Sequence, residues 1–126
     1  MNSSKLSKDI KLSCLRMIYE SNASHIGSAL SIADILSVLY ADIMQTFPEN
    51  PNHPNRDRFI LSKGHAASIL YALLGELKYF EKAKLSNYGK NGDILMNHVS
   101  HKIPGVEFST GSLGHGLSFG AGKALA

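Results

Sequence analysis

Cys14 is the only cysteine in the chain, which excludes an internal disulfide and any zinc centre built on cysteine thiolates. Runs of basic residues are missing as well. Thirteen Lys and Arg against ten Asp and Glu give a net charge of +3, and they are scattered. A nucleic-acid surface would gather them into a stripe or cluster, so the charge reads as an ordinary solvated surface. The N-terminus is polar and lysine-bearing, without the apolar segment of a signal peptide. No apolar run is read as approaching the roughly 20 residues of a membrane span. Internal repeats and low-complexity tracts are absent too. The resulting expectation is a cytoplasmic protein with no nucleic-acid and no membrane partner.

What is present fits one soluble domain at most, with 126 residues, 44% hydrophobic and 18% charged, enough for a core. Residues 5–22 read as an amphipathic helix with Leu6, Ile10, Cys14, Met17 and Ile18 on one stripe, widened by Leu15. That placement makes Cys14 a small buried residue, not a nucleophile. The helix fades into a turn of small residues, 21–28, that holds His25 and Gly27. A second helix is predicted from Ser31, where Ser31 and Asp34 match the [ST]-x-x-[DE] capping pattern. Ile32, Ile35, Leu36, Leu39, Tyr40 and Ile43 keep its 3.6-residue period. Between Phe47 and Asp57, Pro48, Pro51 and Pro54 alternate with Asn50, Asn52 and Asn55, an irregular surface crossing.

The stretch around which the chain is organised is Arg58-Phe59-Ile60-Leu61-Ser62-Lys63-Gly64-His65. Phe59, Ile60 and Leu61 read as a buried strand. Ile69, Leu70, Leu73, Leu74 and Leu77 then set a helical period ending near Tyr79. Strand, glycine turn and helix make a βα unit, and ligands in open α/β sheets lie at the carboxyl ends of strands. Weaker signals follow: a turn of helix around 84–88, a glycine turn at Gly89 and Gly92, loop through 94–110, and a short extended piece at 106–108. The densest glycine stretch runs from Ser109 to Gly122. It is neither a dinucleotide fingerprint nor a phosphate loop by spacing, and is read as a ligand loop or a close-packed helix start. His98-x-x-His101 falls short of a structural zinc site, which needs four ligands. One good strand cannot make a sheet, so the sequence is expected to be cut short.

Four islands in order resemble the N-terminal part of transketolases, and most closely the split form in which that half is a separate polypeptide. They are Ser24-His25-Ile26-Gly27 leading to Ala33-Asp34-Ile35-Leu36; Asp57-Arg58-Phe59-Ile60-Leu61-Ser62-Lys63-Gly64-His65; Ile103-Pro104-Gly105-Val106-Glu107; and Ser109-Thr110-Gly111-Ser112-Leu113-Gly114-His115-Gly116. The likeness spans residues 6–126. It implies an α/β thiamine-diphosphate-binding fold, helices around a parallel sheet, of which residues 1–126 are an incomplete, mostly helical N-terminal portion. It also implies transfer of a two-carbon ketol unit from a ketose phosphate to an aldose phosphate, in carbohydrate metabolism of the pentose phosphate type.

Site residues follow from the same resemblance. His25 matches a histidine that contacts sugar hydroxyls and supports proton transfer, and His65 one that lies near the diphosphate and the reacting carbons. His98 matches a third active-site, substrate-binding histidine, although its loop is about one residue shorter and lacks the usual Gly-His-Pro setting. Gly111, Ser112 and Leu113 match the segment that holds the aminopyrimidine. Imidazoles suit this chemistry because they titrate near neutrality and can both donate and accept. Ile26 stands where the family has Pro, and His115 where it has Gln. Thiamine diphosphate and Mg²⁺ are the implied cofactors. The metal ligands are expected beyond Ala126 and none within the chain. The implied partners are a C-terminal transketolase half with the pyrimidine-binding domain, a second copy forming a dimer, and sugar phosphates. By itself the chain is expected to be inactive. Two other readings stand beside this one: another thiamine-diphosphate enzyme such as 1-deoxyxylulose-5-phosphate synthase, and a non-catalytic remnant that folds only on a partner.

Overall fold

A computed structural model describes residues 2–126. Helix α1 (Ser3–Ser21) opens where Asn2 accepts a hydrogen bond from the Lys5 amide at 2.9 Å, and closes at Asn22, whose φ of 51° lies in the left-handed region. Both ends satisfy backbone groups that a helix otherwise leaves orphaned. Leu6, Ile10, Cys14, Met17 and Ile18 are buried, as the period requires. Leu15, expected to widen the stripe, is 45% exposed instead. Cys14 donates to Ser68 Oγ at 3.4 Å in the core, and burial pushes its thiol above the ordinary value.

The next helical region differs from expectation. It begins earlier, as α2 (Ile26–Leu30), breaks at Ser31 and Ile32, and resumes as α3 (Ala33–Val38) with a closing π-helical turn, Leu39–Ile43. The Ser31–Asp34 capping box does not form. Asp34 faces α1, accepting hydrogen bonds from Ser7 Oγ and from Lys11 Nζ at 2.7 Å. Those bonds hold its carboxyl below the usual carboxylate range. Ser31 Oγ instead donates to the Ser28 carbonyl at 2.8 Å. The expectation of no membrane-length apolar run also needs correction. Taken through the break, Ile26–Ile43 spans 18 residues at a mean hydropathy of 1.5, long and apolar enough by those measures alone. In the fold, Ala29, Ala33, Leu36 and Tyr40 of that stretch are core residues and α3 packs on α1.

A loop follows whose neck is tied. Gln45 N–H donates to Asp57 Oδ2 at 2.8 Å, and Asp57 N–H to the Gln45 carbonyl at 2.9 Å. Phe47 and His53 stack within it, ring centroids 3.9 Å apart. Residues 57–61 belong to no helix or turn, with Leu61 buried, and no strand occurs among the described residues. A strand needs a hydrogen-bonded neighbour, and nothing in residues 2–126 lies beside this one in that manner. The short extended piece expected at 106–108 is likewise no strand.

The chain then turns through the 3₁₀ helix Gly64–Ala66 into α4 (Ala67–Glu76), every residue of which except Glu76 is buried. Such an all-round apolar helix belongs at the centre of a core, and α1 and the 3₁₀ helix Lys82–Asn87 pack on it. The last element is α5 (His115–Leu125), which is largely exposed. Its only buried residue, Gly116, abuts Ser62 so closely that an added Cβ would lie 2.8 Å from the Ser62 Cβ.

Candidate functional site

Three imidazoles from separate segments meet on one side of the molecule. The His25 and His65 ring centroids are 5.3 Å apart, and those of His25 and His98 5.7 Å, both pairs edge to face. His25 stands between the other two.

Each ring is delivered by a local cause. His25 caps α2 with φ 73°, a left-handed conformation unusual for a residue with a side chain but better tolerated by histidine than by branched residues. His65 is in the 3₁₀ turn, where Gly64 permits a contact no other residue could make: an added Cβ would be 2.1 Å from the Thr110 carbonyl oxygen. His98 is set by the central helix. Tyr71 Oη donates to the His98 carbonyl at 3.0 Å and accepts from Ser100 N–H at 3.0 Å, while Val99 N–H donates to the Gly64 carbonyl at 3.0 Å.

The cluster is polar and underused by the protein itself. His25 Nδ1 and Ser28 Oγ are buried without hydrogen-bond partners, a costly arrangement unless something completes it. Loss of solvent around the His65 ring, and then the neighbouring His25, Lys63 and His98, hold its pKa below the ordinary 6.5. A neutral ring at pH 7 can take a proton or give one from its other nitrogen.

The glycine loop borders this cluster. Thr110 Oγ1 donates to the Leu61 carbonyl, and Gly116 N–H to Ser62 Oγ at 3.1 Å, so both ends of the loop are fixed to the segment that carries His65. Gly111, Ser112 and Leu113 between them are exposed, Leu113 by 75%. A Cβ at Gly111 would meet nothing within 4 Å, so the loop leaves room above it. Unpartnered polar atoms beside an open glycine loop fit a heteroaromatic cofactor. Among the described residues there is no group of three or more His, Cys, Asp or Glu that could hold a metal ion. His101 Nδ1 pairs with Ser109 Oγ at 2.7 Å. His115 packs edge to face on Phe108, and Phe108 stacks on Phe119 at 3.8 Å. A depression of about 450 Å³ between α1 and Lys82–Asn87, lined by Arg16, Met17, Leu85 and Ser86, holds none of the three histidines.

Ser28 and Lys63 escape a sequence reading. Serine in a turn and lysine before a glycine carry no pattern that marks them, and only the folded contacts do.

Comparison with known proteins agrees with this geometry. Residues 2–126 match the domain family described as "Transketolase, thiamine diphosphate binding domain". The chain is 41% identical over 112 residues to one of the subunits of the apulose-4-phosphate transketolase of Phocaeicola vulgatus, covering 89% of this chain and 40% of that protein. To the 6-deoxy-6-sulfo-D-fructose transketolase subunit SqwG of Clostridium sp. it is 40% identical over 113 residues, covering 89% and 41%. The solved transketolase of Leishmania mexicana superposes with a TM-score of 0.91 at 28% identity, over 99% of this chain and 19% of that one. Fold and sequence thus define a thiamine-diphosphate-binding domain. The chain belongs to the transketolase family. It spans about 40% of the length of these curated relatives.

Proposed function

We propose that residues 1–126 are the N-terminal portion of the diphosphate-binding domain of an enzyme that moves a two-carbon ketol unit from a ketose phosphate to an aldose phosphate. The observation that carries this reading is the meeting of His25, His65 and His98 around the unpartnered His25 Nδ1, beside the glycine loop. Thiamine diphosphate, when bound, supplies the nucleophilic carbon and the electron sink for such a transfer. His65, His25, Ser28 and the Gly111–Leu113 backbone are the residues that would hold it.

Around it the imidazoles work on protons. His65, kept neutral at pH 7 by its surroundings, accepts a proton from a sugar hydroxyl and returns it. His25, next to it, and His98 beyond orient hydroxyls and pass protons between them. General acid–base help of this kind is worth about 10²–10⁴ in rate. Leu113 offers an apolar contact to a ring. Mg²⁺, if required for the diphosphate, would draw its oxygen ligands from outside the described residues.

A C-terminal half with a pyrimidine-binding domain completes the site in this reading, and a second copy forms the dimer. The relatives named as subunits support it. The setting is cytoplasmic pentose phosphate metabolism. The test combines the protein with its C-terminal half, thiamine diphosphate and Mg²⁺, and follows two-carbon transfer to an aldose phosphate. Donors should include ordinary ketose phosphates, apulose 4-phosphate and 6-deoxy-6-sulfofructose, since the relatives are named for the last two. Cofactor-dependent transfer is expected. Absence of both cofactor binding and transfer in the assembled protein would overturn the proposal in favour of a non-catalytic role.

A further inference from the structure

We propose that Lys63 is a positioning residue of the histidine site, strapping the helix that follows His25 to the turn that presents His65 and setting a fixed positive charge beside the rings. Its ammonium group donates to the Ser28 carbonyl and to Ser31 Oγ, both at 3.1 Å. These acceptors lie at the C-terminal end of α2, where carbonyls have no helical partner and a cation is favoured by the helix dipole. The Ser28 carbonyl takes only Ser31 Oγ besides. Lys63 is therefore the side-chain tie between the element that carries His25 and Ser28 and the element that carries His65.

The charge on Lys63 is left uncompensated. It is half-buried, its acceptors are neutral, and it belongs to none of the ion pairs among the described residues. The charged or titratable groups that act on His65 are His25, whose ring centroid is 5.3 Å away, Lys63 and His98. A nearby cation opposes protonation of an imidazole. Lys63 thus keeps His65 available as a proton acceptor while holding His25 at its distance from it. A glutamine in its place could still donate a hydrogen bond but would carry no charge, whereas an arginine would keep both.

Histidine-selective carbon-13 NMR titration of the assembled protein tests this, with the His65 resonance assigned from a His65→Gln sample. Lys63→Gln is expected to raise the proton affinity of His65 by roughly threefold or more. Lys63→Arg is expected to restore the wild-type midpoint. Lys8→Gln, which removes the same charge from the exposed face of α1, should leave it unmoved. Should Lys63→Gln fail to fold, Ser31→Ala, which removes one of the two acceptors, should move the midpoint the same way by less. An unmoved His65 midpoint in a folded Lys63→Gln or Ser31→Ala protein would overturn the inference. So would an equal shift in Lys8→Gln. The consequence for turnover rests on the proposed function, and appears as an acid limb of the pH–rate profile moved to higher pH in Lys63→Gln. The NMR result does not rest on it: a protein without ketol transfer would still decide the role of Lys63.

Discussion

At the scale of single residues, His65 concentrates the chemistry. Replacing it with glutamine is expected to lower ketol transfer in the assembled enzyme by about 10²–10⁴, with circular dichroism and melting temperature at pH 8 unchanged. Its titration adds a second readout with a definite sign. The folded ring has a pKa below the ordinary 6.5, so the unfolded chain binds that proton more readily. Stability therefore falls as pH drops from 6.5 through the lowered folded value, and is unaffected above 6.5. The His65→Gln protein should lose that part of the acid sensitivity, which melting curves between pH 5 and 8 would show. His25 and His65 are visible in sequence only through the islands around them, and His98, outside the islands, only through the match of its loop, because a lone histidine has no pattern of its own. That they converge is a property of the fold. Ser28 becomes conspicuous only through its unpartnered hydroxyl, and Lys63 only through two neutral acceptors contributed from 35 and 32 residues away.

At the scale of elements, periodicity foretold α1 and α4 well, since each buries the residues its spacing selects. It failed where a partner decides the outcome. Phe59, Ile60 and Leu61 have the composition of a strand, yet residues 57–61 have no neighbouring strand and remain irregular. Ser31 and Asp34 have the spacing of a cap, yet Asp34 is drawn to Lys11 and Ser7 of α1. Glu107 shows the same limit in a more consequential place. Its carboxylate, 9% exposed, pairs with Arg56 and lies 3.5 Å from Lys123. It thereby joins the loop before the His65 segment to the chain before the glycine loop and to α5. Removing its charge strands the guanidinium of Arg56, itself only 17% exposed. Glu107→Gln is expected to destabilise the protein by about 2–3 kcal/mol, measured by urea unfolding with the denaturant slope unchanged.

At the scale of the molecule, one helix organises everything else. α4 is buried on all sides and carries Tyr71, whose hydroxyl fixes the loop of His98. The glycine loop and α5 are much less buried: Leu113, Leu117 and Leu125 are exposed by 75, 80 and 90%. Together with a span of about 40% of its relatives' length, this leads to an expected outcome for residues 1–126 alone. Calorimetry with thiamine diphosphate and Mg²⁺ should detect no micromolar binding, and binding should appear once the C-terminal half and the rest of the domain are supplied. Micromolar affinity in the 126 residues by themselves would contradict this.

The paired hydrogen bonds between Gln45 and Asp57 have a practical corollary. They clasp the base of the proline- and asparagine-rich loop, so the geometry of the chain on either side does not depend on what the loop contains at its tip. Doubling a loop costs only about 0.6 kcal/mol in closure entropy, and exposed tips such as Glu49 and Asn50 accept insertions best. A fluorescent or affinity label placed there would report on assembly with a partner while leaving the histidine cluster in register.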